Sequence, residues 1–153
     1  MERIIKFRGK HINGYGWIYG DLVHNTFDGK KNIKIGIHIK NIYPIEVIPE
    51  TVGQFTGLKD KNGKDIYDGD ILWCKGHVIT NRKEVMEYEK RYKFDFDAPD
   101  PIIEDKYFNN EVQWWSGVQC GWRMKRGSFT CMISQQTIHN MHAEVTGSIH
   151  DKL

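Results

Sequence analysis

The stretch FTGLKDKNGKDIYDGDIL, residues 55–72, alternates lysine, aspartate and glycine around an Asn-Gly dipeptide at position 62. Asn-Gly between alternating residues is a strong signal for a β-hairpin. Binding loops fit less well, because an EF-hand loop starting at Asp60 would place Lys64 and Asp65 where a ligand and a glycine are needed. The glycine patterns of phosphate-binding loops are absent from the sequence. The stretch therefore predicts a hairpin rather than a ligand site.

The charges of this hairpin favour one register. A two-residue turn would bring Asp60 opposite Asp65 and Lys61 opposite Lys64, so that like charges face each other twice. A three-residue loop with glycine in the left-handed bulge position gives the pairs Asp60–Lys64, Lys59–Asp65 and Leu58–Ile66. Each such pair contributes roughly 0.2–1 kcal/mol, so the second register is predicted. In the corner that follows, Asp70 is expected to hydrogen-bond the backbone.

The composition predicts one globular domain. The chain has 153 residues, of which 39% are hydrophobic and 27% charged, and its net charge is +2. This charge gives no global attraction to nucleic acid or to membranes. No signal peptide or membrane-spanning run is recognisable, and the three scattered cysteines are typical of reduced thiols, so we expect a cytoplasmic protein that does not bind membranes.

Turn signals at short intervals, together with many Ile, Val, Tyr and Trp residues, indicate a mainly β fold with antiparallel pairing. The predicted strands cover residues 4–8, 15–23, 32–39, 111–115, 120–125, 128–133 and 143–150. Residues 82–93 carry apolar side chains and opposite charges at helical spacing, which predicts a short helix. A long β-hairpin excursion is the alternative for this part of the chain.

Several of these segments together resemble one protein family. The segments IKFRGK, GWIYGDLV, TVGQFTGLKDKNGKDIYDGDIL and EVTGSIHDKL are similar to the YopX family of phage and prophage proteins. The resemblance implies a small, mostly β fold of strongly bent sheets, and residues 81–108 look like an insertion relative to shorter members. It implies no established activity, catalytic residue or cofactor.

We therefore expect strongly bent antiparallel sheets that form two small barrel-like subdomains, residues 1–56 and 57–153, with a short helix in an insertion at about 81–108. The expected function is that of a phage or prophage accessory protein that acts by binding a protein partner or by self-association. The sequence gives no reason to expect an enzyme or a cofactor.

Candidates for chemistry are weak. His139 and His142 form an H-x-x-H without a third ligand at motif spacing, and no zinc-protease pattern is present. Cys120 and Cys131 could face each other across a turn, but two separate buried thiols are the simpler interpretation. Asp68 and Asp70 are explained by the Asp-Gly turn. No catalytic or metal site is predicted.

Two surfaces remain as candidates. Aromatic and basic residues could form a nucleic-acid surface, the alternative being packed tryptophans beside a solvated basic edge. This set is Trp114, Trp115, Trp122, Arg123, Lys125 and Arg126. Aromatic residues in and beside the insertion could form a partner or oligomer surface, or cover an opening in the β core. This set is Tyr88, Tyr92, Phe94, Phe96, Tyr107 and Phe108.

Overall fold

A computed structural model describes residues 4–25, 32–36, 44–79, 83, 102–116, 121–127 and 129–151. The strands are β1 Phe7–Lys10, β2 Trp17–Asn25, β3 Asn32–Gly36, β4 Ile45–Glu46, β5 Gly53–Lys59, β6 Asp65–Tyr67, β7 Asp70–Ile79, β8 Ile103–Trp115, β9 Gly121–Arg126, β10 Phe129–Met132 and β11 Glu144–Ser148. A 3-10 helix covers Pro49–Thr51 and a short helix, α1, covers Gln135–Asn140. The mainly β class predicted from the sequence is confirmed.

The strands form two antiparallel sheets. The first has the order β4-β3-β2-β1-β5-β6, and the second has the order β10-β9-β8-β7-β11. The prediction of barrel-like closure is wrong for the described strands, because each sheet keeps two edges. Closing a sheet requires its edge strands to pair along their length, and the edges of the first sheet, β4 and β6, are only two and three residues long.

The predicted hairpin register is confirmed around the turn. Lys59 pairs with Asp65, their charged groups lie 2.6 Å apart, and Gly63 has a left-handed φ of 82°. The Leu58–Ile66 pair is displaced by a bulge, because Phe55 pairs with Tyr67 and residues 56–58 therefore lie opposite a single residue. Gly57, with φ 85°, provides the backbone conformation that this bulge needs.

The predicted pairing of Asp60 with Lys64 is confirmed in the backbone, where the Asp60 N–H donates to the Lys64 carbonyl at 2.8 Å, but the Asp60 side chain has a different role from the one predicted. Instead of pairing with the Lys64 side chain, its buried carboxylate accepts hydrogen bonds from three backbone N–H groups. Oδ1 accepts from Asn62 and Lys64, and Oδ2 accepts from Val145 on β11 at 3.1 Å. The hairpin is thereby fixed to the last strand of the second sheet.

The chain passes from the first sheet to the second at a tight corner, Asp68-Gly69, where Gly69 has φ 78°. Gly53 on β5 lies so close to this corner that a Cβ atom there would be 2.5 Å from the Asp68 carbonyl oxygen. The change of sheet thus falls after β6, beyond residue 56. The division into two subdomains stays a prediction.

The main core lies on one face of the second sheet, which we call the inner face. Ile66, Leu72, Cys74, Val112, Met124, Ile133, Ile138, Ala143 and Val145 form its buried cluster. Helix α1 contributes Ile138 to this cluster, and its N-terminus is capped by Ser134, whose side chain accepts a hydrogen bond from the Thr137 N–H. We call the opposite face, where the exposed side chains of the same strands lie, the outer face.

Strand β8 starts earlier than expected. It pairs with β7 from Ile103 opposite Ile79 through to Glu111 opposite Ile71, so residues 103–108 of the predicted insertion are β-strand. This supports the hairpin alternative for that part. The predicted helix at 82–93 lies outside the described residues apart from Lys83, which is helical.

Candidate binding surfaces

Two aromatic side chains stack on the outer face of the second sheet. The rings of Trp73 on β7 and Tyr107 on β8 have centroids 4.1 Å apart and planes inclined by only 18°. They are 38% and 45% exposed, and the exposed Ile103 lies further along the same face. We call Trp73 and Tyr107 the outer aromatic pair. It is a stacked, solvent-exposed aromatic surface on a paired β-ribbon.

Ion pairs flank the outer aromatic pair. Lys75 Nζ lies 2.5 Å from the Asp105 carboxylate, and the hydrogen bond to Asp105 raises the pKa of Lys75. On the other side, Lys61 lies 2.5 Å from Glu144, the residue opposite Trp73 in the β7–β11 register. An apolar centre with charged residues of both signs around it is the usual arrangement of a protein–protein interface.

The predicted nucleic-acid set is divided between the two faces. Trp114 pairs with Trp122 in the β8–β9 register, and their rings meet edge to face at 5.0 Å. Alternation along β9 places Arg126 on this inner side and Arg123 and Lys125 on the outer side. The Trp115 side chain lies outside the described part. The structure therefore does not bring all six residues to one face, and a nucleic-acid role for them stays a prediction.

The predicted partner set is described only in part. Tyr88, Tyr92, Phe94 and Phe96 lie outside the described residues. Tyr107 and Phe108 are neighbours on β8 and face opposite sides of the sheet. Tyr107 belongs to the outer aromatic pair, whereas Phe108 lies on the inner side with the Arg126 guanidinium 3.5 Å from its ring centroid.

Trp73 is not among the residues predicted from the sequence for either surface. Leu72 and Cys74 on either side are buried, so alternation places Trp73 on the opposite, outer face. The alternation of apolar residues around a tryptophan was a signal available in the sequence, but it could not say which face is the core.

Among the described residues, two cysteines and the aspartate of the corner are placed unfavourably for catalysis. Cys74 is buried, and burial raises the pKa of its thiol to about 11, so the thiolate needed for nucleophilic attack is scarce. Burial also raises the pKa of Cys131, while Cys120 lies outside the described part. Asp70 accepts a hydrogen bond from the Tyr67 N–H at 2.8 Å, which confirms its predicted role in the corner. Among the described residues, no group of three or more His, Cys, Asp or Glu side chains is arranged to hold a metal ion.

Fold and surface together define a mainly β protein of two open antiparallel sheets joined at a tight corner. The chain matches the family described as YopX protein over residues 6–152, nearly its whole length, and it belongs to the YopX family. The resemblance seen in the sequence is thereby confirmed. No curated protein and no solved structure matches the chain. In the described part of the chain, no helix is long and apolar enough to cross a membrane.

Proposed function

We propose that this protein is a cytoplasmic accessory protein, encoded by a phage or prophage, that acts by binding another protein rather than by catalysis. The observation that carries the proposal is the outer aromatic pair. The rings of Trp73 and Tyr107 are stacked and solvent-exposed on a paired β-ribbon. Trp and Tyr side chains dominate the binding energy of protein interfaces, since they bury a large area with few torsions to immobilise.

The surroundings of the pair support a protein partner. Lys75–Asp105 and Lys61–Glu144 present both signs of charge, which suits a polar rim better than a uniformly basic nucleic-acid surface. The net charge of +2 is consistent with this choice. The partner that we propose is a host or phage protein, and a second copy of the chain is the other possibility to be tested.

The proposal is tested by capturing partners from a host lysate with the tagged full-length chain and with the double variant Trp73→Ser/Tyr107→Ser. Both residues are exposed, so the variant is expected to fold. Tyr15→Ser is the matched control, because Tyr15 is 79% exposed and precedes β2 of the first sheet. We expect one specific protein to be captured by the wild type and by the control but lost with the double variant. Equal capture by all three chains would contradict the proposal.

Self-association is tested by light scattering over a range of concentrations. A dimer that is lost in the Trp73→Ser/Tyr107→Ser variant would show that the outer aromatic pair binds a second copy. A monomer at every concentration would leave only a different protein as the partner.

Nucleic-acid binding is the alternative function. The outer face carries Arg123 and Lys125, and the inner side carries the Trp114–Trp122 pair, so neither face combines all the predicted contacts. Titration with single-stranded and duplex oligonucleotides over a salt series decides the question. Phosphate contacts are strongest at low salt, so absence of binding there would exclude this alternative.

A further inference from the structure

Strand β10 forms an open edge of the second sheet. It runs antiparallel to β9, and the Ile133 N–H just after it donates to the Trp122 carbonyl at 3.0 Å. Ladder hydrogen bonds of an antiparallel pair join every second residue, so Cys131 is bonded to β9 in the same way. The N–H and C=O groups of Thr130 and Met132 therefore point away from β9, and none of the described residues hydrogen-bonds them there.

The other three edges of the two described sheets are protected. At the edge of β11, the Val145 N–H donates to the Asp60 carboxylate, and the Ala143 carbonyl just before the strand accepts from the Lys61 N–H at 2.9 Å. The edge strands of the first sheet, β4 and β6, are only two and three residues long. Short edges present few backbone groups to another strand. Strand β10 is thus the edge that is left to pair.

The sequence of β10 does not oppose such pairing. Phe129–Met132 reads FTCM, without a charged residue, proline or glycine, and its register with β9 is regular. Alternation places Thr130 and Met132 on the outer face, where Thr130 is half-buried and Met132 is 45% exposed. Edges that must stay single usually carry a lysine, a proline or a bulge. An edge that has none of these is suited to accept another strand.

We propose that β10 pairs antiparallel with β10 of a second copy of the chain, about a two-fold axis at Cys131. Thr130 then lies opposite Met132 of the second copy, and Met132 lies opposite Thr130 of the second copy. Each of these pairs exchanges both of its N–H···O=C hydrogen bonds, so the outward backbone groups are satisfied. The two five-stranded sheets become one continuous sheet.

Charge and symmetry favour a second copy as the occupant. Because β10 has no charged side chain, two copies of it meet without placing like charges opposite each other. A two-fold axis uses the open edge of both copies, and the ends of the joined sheet are the β11 edges, which the hairpin at Asp60 and Lys61 covers. Association therefore stops at the dimer.

The contact is small. A four-residue strand buries far less than the about 800 Å² per partner of a standard interface, so the dimer is in equilibrium with the monomer. The dimer uses the edge of the sheet and leaves the outer aromatic pair on β7 and β8 free. It does not rest on the function proposed for that pair.

Analytical ultracentrifugation of the full-length chain up to about 1 mM measures the equilibrium. Thr130→Lys/Met132→Lys places like charges opposite each other across the axis and is expected to raise the dissociation constant at least about tenfold. Thr146→Lys/Ile149→Lys is the matched control, because it adds the same charges at exposed positions in and after β11. It should leave the dimer unchanged. A wild type that is monomeric throughout, or equal effects of the two variants, would overturn the proposal.

Charge reversal tests the pairing directly. Thr130→Glu/Met132→Glu is also expected to be monomeric, since its like charges repel across the axis. Mixing it with Thr130→Lys/Met132→Lys places opposite charges at both pairs, so a mixed dimer should form. A mixture that stays monomeric would show that these side chains do not meet across the axis.

Cys131 reports the register. In the proposed dimer Cys131 lies opposite Cys131 of the second copy in a non-hydrogen-bonded pair, with Cα atoms about 4.5 Å apart, close enough for a disulfide. Diamide, which accepts the two electrons and two protons of the two thiols, should therefore link Cys131 to Cys131, as identified by peptide mass spectrometry. Cys131→Ser should lose the link but keep the ultracentrifugation result. No link, or a link only through other cysteines, would overturn this register.

The outer aromatic pair is tested separately. Trp73→Ser/Tyr107→Ser should keep the β10 dimer, and Thr130→Lys/Met132→Lys should keep the capture of a different protein from the lysate. A dimer lost in the first variant and kept in the second would overturn the β10 proposal. A loss of capture without a loss of the dimer would bear only on the outer aromatic pair.

Discussion

Arg8 on β1 and Asp70 on β7 form a buried ion pair that links the two sheets, with Arg8 Nη2 2.6 Å from Asp70 Oδ1. Their side chains are only 5% and 1% exposed. The guanidinium carbon lies 4.2 Å from the centroid of the Trp17 ring and 5.0 Å from that of the Tyr67 ring. Burial raises the pKa of the Asp70 carboxyl, and the charge of Arg8 opposes that rise. The pair thus combines a large desolvation cost with close contact between opposite charges.

Asp70→Asn is expected to destabilise the protein by about 3–5 kcal/mol, because it leaves the Arg8 charge buried without its counter-ion. The substitution preserves the size of the side chain and can preserve the hydrogen bond from the Tyr67 N–H. The free energy of unfolding from urea denaturation gives the measurement. Asp105→Asn is the control, since the same substitution there breaks an exposed ion pair with Lys75 and should cost far less. Similar decreases in the free energy of unfolding for the two variants would contradict this account.

His150 is expected to make stability depend on pH. Burial and the nearby charges of Arg8 and Lys10 lower the pKa of His150. The unfolded chain, with a histidine pKa of about 6.5, therefore binds a proton at a higher pH than the folded protein does. Stability should fall as the pH is lowered through about 6.5 and should level off below the folded pKa.

This dependence is checked by urea denaturation of the wild type and His150→Gln between about pH 8 and pH 5. The difference in free energy of unfolding between the two proteins should be nearly constant above about pH 7.5, where the histidine is neutral in both the folded and the unfolded state. Below that pH the wild type should lose more stability than the variant. If the free energies of unfolding of the two proteins change in parallel over the whole pH range, His150 contributes nothing to the pH dependence.

The thiol of Cys74 is expected to resist alkylation in the folded protein. With a pKa of about 11, roughly one thiol in a thousand is ionised at pH 8, compared with roughly a quarter for an unperturbed cysteine. Treatment with iodoacetamide followed by peptide mass spectrometry should find Cys74 modified only after denaturation. Equal rates of modification in the folded and denatured states would argue against the buried position of Cys74 and would reopen the question of a reactive thiol.

The sequence predicts the parts of this molecule that depend on local chemistry. The turn around Gly63 and the Lys59–Asp65 pair follow from turn preferences and cross-strand charges, which act over a few residues. The hydrogen bond of Asp70 in its corner was predictable for the same reason. The ion pair of Asp70 with Arg8 was not predictable, because β1 and β7 come into contact only when the two sheets pack.

The candidate sites show the same limit. Alternation separates Trp114 from Trp115, but it cannot show which face of the sheet holds the core. The outer aromatic pair likewise needs the β7–β8 register to bring Trp73 beside Tyr107.

Asp60 is expected to be more important for stability than its place in a charged turn suggests. Asp60→Ala removes the acceptor of three backbone N–H groups. The hydrogen bond from the Val145 N–H is the buried one among them. Water can reach the turn, but it cannot easily solvate the buried Val145 N–H, so we expect a loss of about 1–3 kcal/mol.

Asp60→Asn should not restore this loss. An amide has one oxygen, so orienting it toward the turn presents its N–H₂ group to the Val145 N–H, and the reverse orientation presents that group to the turn. Lys61→Ala is the control, because it removes an exposed partner of Glu144 from the same loop and should have a smaller effect. Urea denaturation gives the free energy of unfolding of the three variants and so ranks their stabilities. An Asp60→Asn protein as stable as the wild type would show that the carboxylate is not needed to join the hairpin to β11.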